Sequence, residues 1–285
     1  MRILDSVPIM GLWNLSDSGF HAHLSSREAK NIIKKAYRTG IRMFDTAFSY
    51  NEADSLLYSA MKEAGKDAWS VISKIMPVPT FRKKAEISLS RLHRDRFSIL
   101  LIHWPCEEEN LYKSLRELEK MKDEGKADAI GVSNFPYALL EKAARDFPIE
   151  YHERPLSLIW TKDYGKEKES GIKILAYSPL GMGILSGKYS SASDFSDSRK
   201  NLYLFSSPYT EQLLEQLRNN PSIALSWTYM QRPFGVISGF SSEDDIDVLN
   251  KIKPLDEALY STLSDLSAKI TETAFSDNLF AHRWN

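Results

Sequence analysis

Ser98-Ile99-Leu100-Leu101-Ile102-His103-Trp104-Pro105 contains an unbroken aliphatic run that ends on a histidine and a tryptophan. Such a run suits a strand of a parallel sheet with both faces buried. Working outward from a strand at 98–104, comparable runs lie at 7–13, 42–47, 70–75, 129–134, 149–157, 172–178 and 235–240, which makes eight predicted strands. Amphipathic stretches separate them. Residues 26–39 place Ala29, Ile32, Ile33, Ala36 and Tyr37 on one face; Ser25 and Glu28 have capping-box spacing, and Gly40 ends the helix. Residues 108–124 carry Leu111, Leu115 and Leu118 ahead of Gly125, while Pro136 and Pro221 each open a helical pattern. Strands alternating with helices in this way predict a (β/α)8 barrel, with an open doubly wound sheet as the competing arrangement. The expectation is one domain over residues 1–285, with the Ser- and Asp-rich stretch 189–208 as a long loop capping the mouth.

Composition narrows the classes. Lys plus Arg number 37 against 38 Asp plus Glu, so the net charge of −1 offers no basic excess for nucleic acid. No apolar run reaches the ~20 residues that span a bilayer. Asp5 interrupts any N-terminal signal core, and the lone Cys106 cannot form an internal disulfide. A cytoplasmic protein with no nucleic-acid or membrane partner is expected.

In such a barrel, chemistry belongs at the C-terminal strand ends. Those ends bring Asp45 and Tyr50, Lys74, and His103 from three successive strands. A phenol is a poor acid with an ordinary pKa of about 10, and a nearby ammonium lowers that value. Asp45 would position Lys74, and His103 would orient a carbonyl oxygen toward Tyr50. Taken singly these residues have plainer uses: a helix cap, a packed ring, a solvated lysine, a core histidine. Together they read as a proton-delivery site for carbonyl reduction.

The chain resembles the aldo-keto reductases. Gly11-Leu-Trp13, Phe44-Asp-Thr-Ala47, Tyr50, Ser73-Lys74, the Ser-Leu-Ser-Arg-Leu run at 88–92, and Leu101-Ile-His-Trp-Pro105 occur in that family's order. Gly131-Val-Ser-Asn-Phe135 and the run from Ala176 to Tyr189 follow, so the likeness extends from about residue 7 to 250. The resemblance implies a (β/α)8 barrel and hydride transfer from NADP(H) or NAD(H) to a small-molecule carbonyl substrate. It makes Tyr50 the general acid, Lys74 the neighbour that lowers its pKa, Asp45 the partner of Lys74, and His103 the group that orients the substrate. Ser133 and Asn134 would hold the nicotinamide carboxamide, and Tyr177 would stack on the ring. Ser178, Pro179, Leu180 and Gly181, with Lys188 and Arg199, would cover the pyrophosphate. Trp13 would line the substrate pocket, and Trp104 could form part of its wall.

The chain also departs from that pattern. The carboxamide-contacting Gln aligns with Glu153, which accepts hydrogen bonds but, when ionised, cannot donate them. Gly239 and Ser241 fit the adenine-side segment. Asp245, after Glu243 and Asp244, stands where a cation or Gln usually reads the 2′-phosphate, and Val248 and Leu249 replace the Glu and Asn that hold adenine. Acidic charge there repels a 2′-phosphate, so weaker NADPH selectivity than the family norm is expected. Only ten residues precede Gly11, which predicts an abbreviated hairpin at the barrel bottom.

Three rival readings are weaker. A non-catalytic cofactor-binding or scaffold protein fits the altered adenine contacts but has no use for the full tetrad. The glycines at 181, 183 and 187 superficially resemble a Rossmann turn, but their spacing and late position are wrong. His21-Ala-His23 has metal-site spacing yet sits in a predicted loop rather than on a strand, and His152 and His282 lack an evident carboxylate partner, so no metal is expected.

Overall fold

The computed structural model describes residues 5–16, 24–77 and 79–273. His21, His23, His282, the residues before Asp5 and the C-terminal stretch from 274 lie outside that set. Eight parallel strands close into a barrel in chain order: β1 (Val7–Gly11), β2 (Met43–Asp45), β3 (Ser70–Ile75), β4 (Phe97–Ile102), β5 (Ala127–Ser133), β6 (Tyr151–Pro155), β7 (Lys173–Tyr177) and β8 (Gly235–Gly239). Pairing of β1 with β8, from Val7 opposite Gly235 to Gly11 opposite Gly239, completes the closure. Helices α1 (Ser26–Arg38), α2 (Ala53–Met61), α3 (Phe81–Leu92), α4 (Glu108–Asp123), α5 (Tyr137–Asp146), α6 (Tyr164–Glu169), α7 (Pro208–Leu217), α8 (Pro221–Met230) and α9 (Glu257–Glu272) lie between or after them. The barrel is therefore the predicted one, and the open sheet is excluded.

Side chains alternate along each strand, which splits the apolar residues into two sets. Ile9, Ile72, Ile99, Leu101, Tyr151, Leu175 and Ile237 fill the barrel interior. Met10, Phe44, Val71, Leu100, Ile102, Ile130 and Val132 pack outward among the helices, with Ile32, Ile33, Leu57, Leu89 and Leu115. This burial on both faces is why the strands read as continuous apolar runs.

Most strands stop earlier than their apolar pattern suggests. Trp13 falls in a short 3-10 turn, and His103, Asn134 and Ser178 lie just past their strands. Asn134 and Ser178 adopt left-handed backbone with φ of 64° and 51°, which a pleated strand does not allow. Ser25 and Glu28 form the expected reciprocal cap on α1. Pro221 occupies the first helical turn of α8, but Pro136 is the extended cap before α5, one residue earlier than predicted.

The 189–208 stretch is built from three 3-10 turns, not irregular chain. Its Ala192, Phe195, Leu202, Leu204 and Phe205 are buried with Leu213, Trp227, Leu263 and Ile270 of α7, α8 and α9. Apolar anchors inside a polar sequence hold the loop down.

Candidate active site

Strand parity builds the site. Ile72, Tyr151 and Leu175 face the barrel interior, so two residues on, Lys74, Glu153 and Tyr177 continue the same face toward the C-terminal end. Asp45 ends β2 in register with Ile72. There Lys74 Nζ lies 2.5 Å from Asp45 Oδ2 and 3.0 Å from Glu153 Oε1, with the lysine only 1% exposed. His103 follows β4, its amide donating to the Ile75 carbonyl.

Tyr50 is delivered by the loop after β2. The amides of Thr46 and Phe48 donate to the carbonyls of Ile72 and Lys74, stitching that loop to β3. Behind it, the hydroxyls of Thr46 and Ser88 donate to the buried Asp54 carboxylate at 2.8 and 2.6 Å, anchoring the start of α2. The Tyr50 ring meets His103 edge-on at 5.7 Å, with Lys74 Nζ 5.3 Å from its centroid. Ser49 Oγ sits 3.3 Å from His103 Nδ1. The tetrad expected from sequence is thus assembled in one place.

The electrostatics differ from the simple expectation. Burial raises the Tyr50 phenol; Lys74 pulls it down, but Asp45 and Glu153 push it up again, so the net shift is upward. Asp45 and Glu153 neutralise much of the ammonium field, and Tyr50 stays a neutral acid. Burial, then Lys74, holds His103 well below its ordinary value, so its imidazole is uncharged at neutral pH.

The residues expected at the nicotinamide end also converge. Asn134 Nδ2 donates to the His103 carbonyl at 3.0 Å and to Ser133 Oγ at 2.9 Å, and its Oδ1 accepts from the Tyr177 hydroxyl at 2.5 Å. One left-handed asparagine therefore ties together the ends of β4, β5 and β7. Glu153 behaves otherwise than expected: both its oxygens face Lys74, at 3.0 and 3.3 Å.

Past β7, Ser178, Pro179 and Leu180 lead into a turn in which Gly181 has φ of 55°. A Cβ on Gly181 would lie 3.0 Å from Ile159, so the tight turn needs a glycine. The cations beyond it already have acids. Lys188 pairs with Asp245 at 3.2 Å. Arg199 is buried, held by both oxygens of Asp197, and donates to the Met182 carbonyl at 2.9 Å. After β8, a Cβ on Gly239 would meet the Asn14 side-chain amide at 2.6 Å, so a larger residue there would displace that amide. Next, Asp245 Oδ2 accepts from the backbone amides of Ser241 and Ser242 at 2.9 and 3.1 Å. Burial raises the Asp245 carboxyl, but the Ser241 amide, Lys188 and the Ser242 side chain outweigh it and leave it below its ordinary value. Leu249 turns against the main core, and Asp247 pairs with Lys35 at 3.0 Å.

Trp13 is half-buried just past β1, and Trp104 beside His103 packs at the edge of the second apolar cluster. Sequence reasoning missed Ser49, the Glu153–Lys74 pair and the Asp197–Arg199 pair. Inward parity shared by Lys74 and Glu153 could have exposed the first pair, and the two-residue spacing of Asp197 and Arg199 the second. No signal marks Ser49. His152 does have a carboxylate partner: Nδ1 lies 2.8 Å from Glu167 Oε2, on the outside of the barrel. Among the described residues no three His, Cys, Asp or Glu side chains gather to hold a metal, and no helix is long and apolar enough to cross a membrane.

A sequence profile described as Aldo/keto reductase family matches residues 9–268. The chain is 35% identical to the glyoxal reductase of Bacillus subtilis over 56% of its own length, a match that spans 61% of that relative. It is 29% identical to the chloroplastic pyridoxal reductase of Arabidopsis thaliana, covering 90% of this chain and 80% of that one. Among solved structures, the glycerol dehydrogenase of Gluconobacter oxydans superposes with a TM-score of 0.80 over 94% of this chain and 93% of its own, at 21% identity.

Proposed function

Because the chain belongs to the Aldo/keto reductase family, an oxidoreductase family that uses NAD(P)H, we propose that it reduces an aldehyde or ketone to an alcohol. The observation that carries this is the clustering of Tyr50, Lys74, Asp45 and His103 at one end of the barrel. The nicotinamide supplies the hydride when bound, and Ser133, Asn134 and Tyr177 are the residues that would hold it. Tyr50 donates its phenolic proton to the carbonyl oxygen as negative charge develops there. Lys74, kept charged chiefly by Asp45, stabilises the phenolate left behind. Neutral His103 donates an N–H that fixes the carbonyl oxygen beside Tyr50.

The test is turnover of a panel of aldehydes and ketones with each cofactor, with the alcohol product identified. Glyoxal and pyridoxal, the carbonyls in the relatives' names, belong in the panel. Reduction of none of them by folded protein would leave the scaffold reading standing.

Asp245 makes the cofactor preference predictable. Its carboxylate occupies the Ser241 and Ser242 amides, donors suited to a phosphate, and it engages Lys188. A 2′-phosphate would have to displace or face that charge. NADPH is therefore expected to bind no more tightly than NADH. Asp245→Ala should tighten NADPH by about tenfold, on the order of 1.4 kcal/mol, and leave NADH nearly unchanged. Dissociation constants from quenching of protein fluorescence decide this, and a large NADPH advantage in the unaltered chain would refute it.

A further inference from the structure

Glu153 is a buried acid at the barrel mouth to which the carbonyl reduction set out above assigns no step. It lies on β6 in register with Ser133 of β5 and Leu175 of β7. Its side chain is 4% exposed. An ammonium has three N–H donors; Lys74 directs its hydrogen bonds to Asp45 and Glu153, and Tyr50, its ring centroid 5.3 Å from Nζ, is the neighbour beside the third.

Two carboxylates thus share one ammonium away from water. With both ionised the cluster carries an uncompensated buried negative charge, which is costly. The titratable groups facing Glu153 are Asp45 from β2, Tyr50 from the loop after it, Lys74 from β3 and Tyr177 at the end of β7, with His103 after β4 facing Lys74. His103 and both phenols are neutral, which leaves Lys74 as the cation of this group. Arg154, the next residue, turns outward to Glu167. Burial raises Asp45 against the pull of Lys74, but Asp45 makes the shorter contact with the ammonium, so of the two carboxyls Glu153 is the one assigned the proton, with Asp45 as its hydrogen-bond partner. Burial, then the Asp45 charge, pushes Glu153 up to about 8 against the pull of Lys74.

We propose that Glu153 is the proton store that resets the Tyr50 acid, passing its carboxyl proton to the phenolate through Lys74. The proposal rests on the carbonyl-reductase reading. As Tyr50 protonates the carbonyl oxygen, its O–H bond breaks and the alcohol O–H forms. An N–H proton of Lys74 then moves to the phenolate, and the lysine takes the carboxyl proton of Glu153. Tyr50 and Lys74 return to their starting states, and Glu153 is left ionised beside the ammonium. No electrons move in this relay, since the hydride alone carries the reducing pair. Solvent reprotonates Glu153 before the next turnover. A glutamine at this position cannot perform the exchange. Glu153 acts through Lys74 and is a positioning and proton-storing residue, not one that touches substrate.

Infrared titration of the cofactor-free protein, with its glutamates 13C-labelled to separate Glu153 from Asp45, tests the store without turnover. Between about pH 6 and pH 10 the native protein should lose a protonated-carboxyl band, with a midpoint near that of Glu153, and Glu153→Gln should lack the band. The kcat of the native enzyme should fall about tenfold per pH unit above that midpoint, whereas Glu153→Gln should give a lower kcat without this ionisation. Should Glu153→Gln fail to fold, the labelled native spectrum and the native pH profile still decide the matter. Turnover without a titrating glutamic band, or the same pH profile in Glu153→Gln, overturns the relay alone. A native protein that reduces no carbonyl with either cofactor overturns the reductase reading and the relay with it.

Discussion

Tyr50→Phe lowers kcat for carbonyl reduction by about 10²–10⁴-fold, the usual contribution of a positioned general acid. The ring stays in its edge-on contact with His103, so the fold and the cofactor dissociation constant should change little. What disappears is the phenolic proton beside both Lys74 and His103. Because burial and the two carboxylates hold the phenol above its ordinary value, it remains protonated throughout the neutral range. Loss of rate near pH 8 in the native enzyme must therefore come from a group other than Tyr50. Steady-state rates, cofactor titration and thermal melting of the variant check this together. Full activity with intact cofactor binding would remove Tyr50 from the mechanism.

Lys74→Met should cost roughly 3–5 kcal/mol of stability at neutral pH as well as activity, because breaking a buried ion pair leaves charge without a partner. Here the Asp45 carboxylate, 2.5 Å from the lost ammonium, is stranded, and Glu153 at 3.0 Å loses the cation that favours its ionisation. Burial already raises both acids against the pull of Lys74, and without the ammonium their folded-state pKa values would rise further. A raised acid contributes stability below its unfolded value and loses it as pH climbs through the folded one. The deficit should thus be small near about pH 4 and grow toward about pH 8. Adding Asp45→Asn should recover part of the stability and none of the activity. Urea unfolding at several pH values measures both effects, and a deficit that does not vary with pH would contradict the stranded-charge account.

Much of the barrel was legible because period and order are local properties. The run at 99–102, the cap at Ser25 and Glu28, and the alternation of strand and helix all follow from neighbouring residues. Strand ends were less legible, since a left-handed turn at Asn134 or Ser178 leaves the apolar pattern unchanged up to the turn itself. The loop at 189–208 looked irregular because its polar residues outnumber the few apolar anchors that dock on α7, α8 and α9. The tetrad was visible as polar residues placed at the ends of apolar runs.

The sequence by itself pointed to an eight-stranded barrel with Asp45, Tyr50, Lys74 and His103 at one end, because alternation of strand and helix, the family resemblance and the position of these residues at strand ends are readable before any contact is known. Only the tertiary structure decided the charge state of that end. Whether Lys74 lowers the Tyr50 phenol depends on how many carboxylates share the ammonium and how little water reaches it, and Glu153, 79 residues distant in the chain, is one of the two. The same holds after β8, where Asp245 turns out to fill a pair of backbone amides and to engage Lys188. Burial and distance between residues far apart in sequence set electrostatic strength, and closure of the barrel sets both.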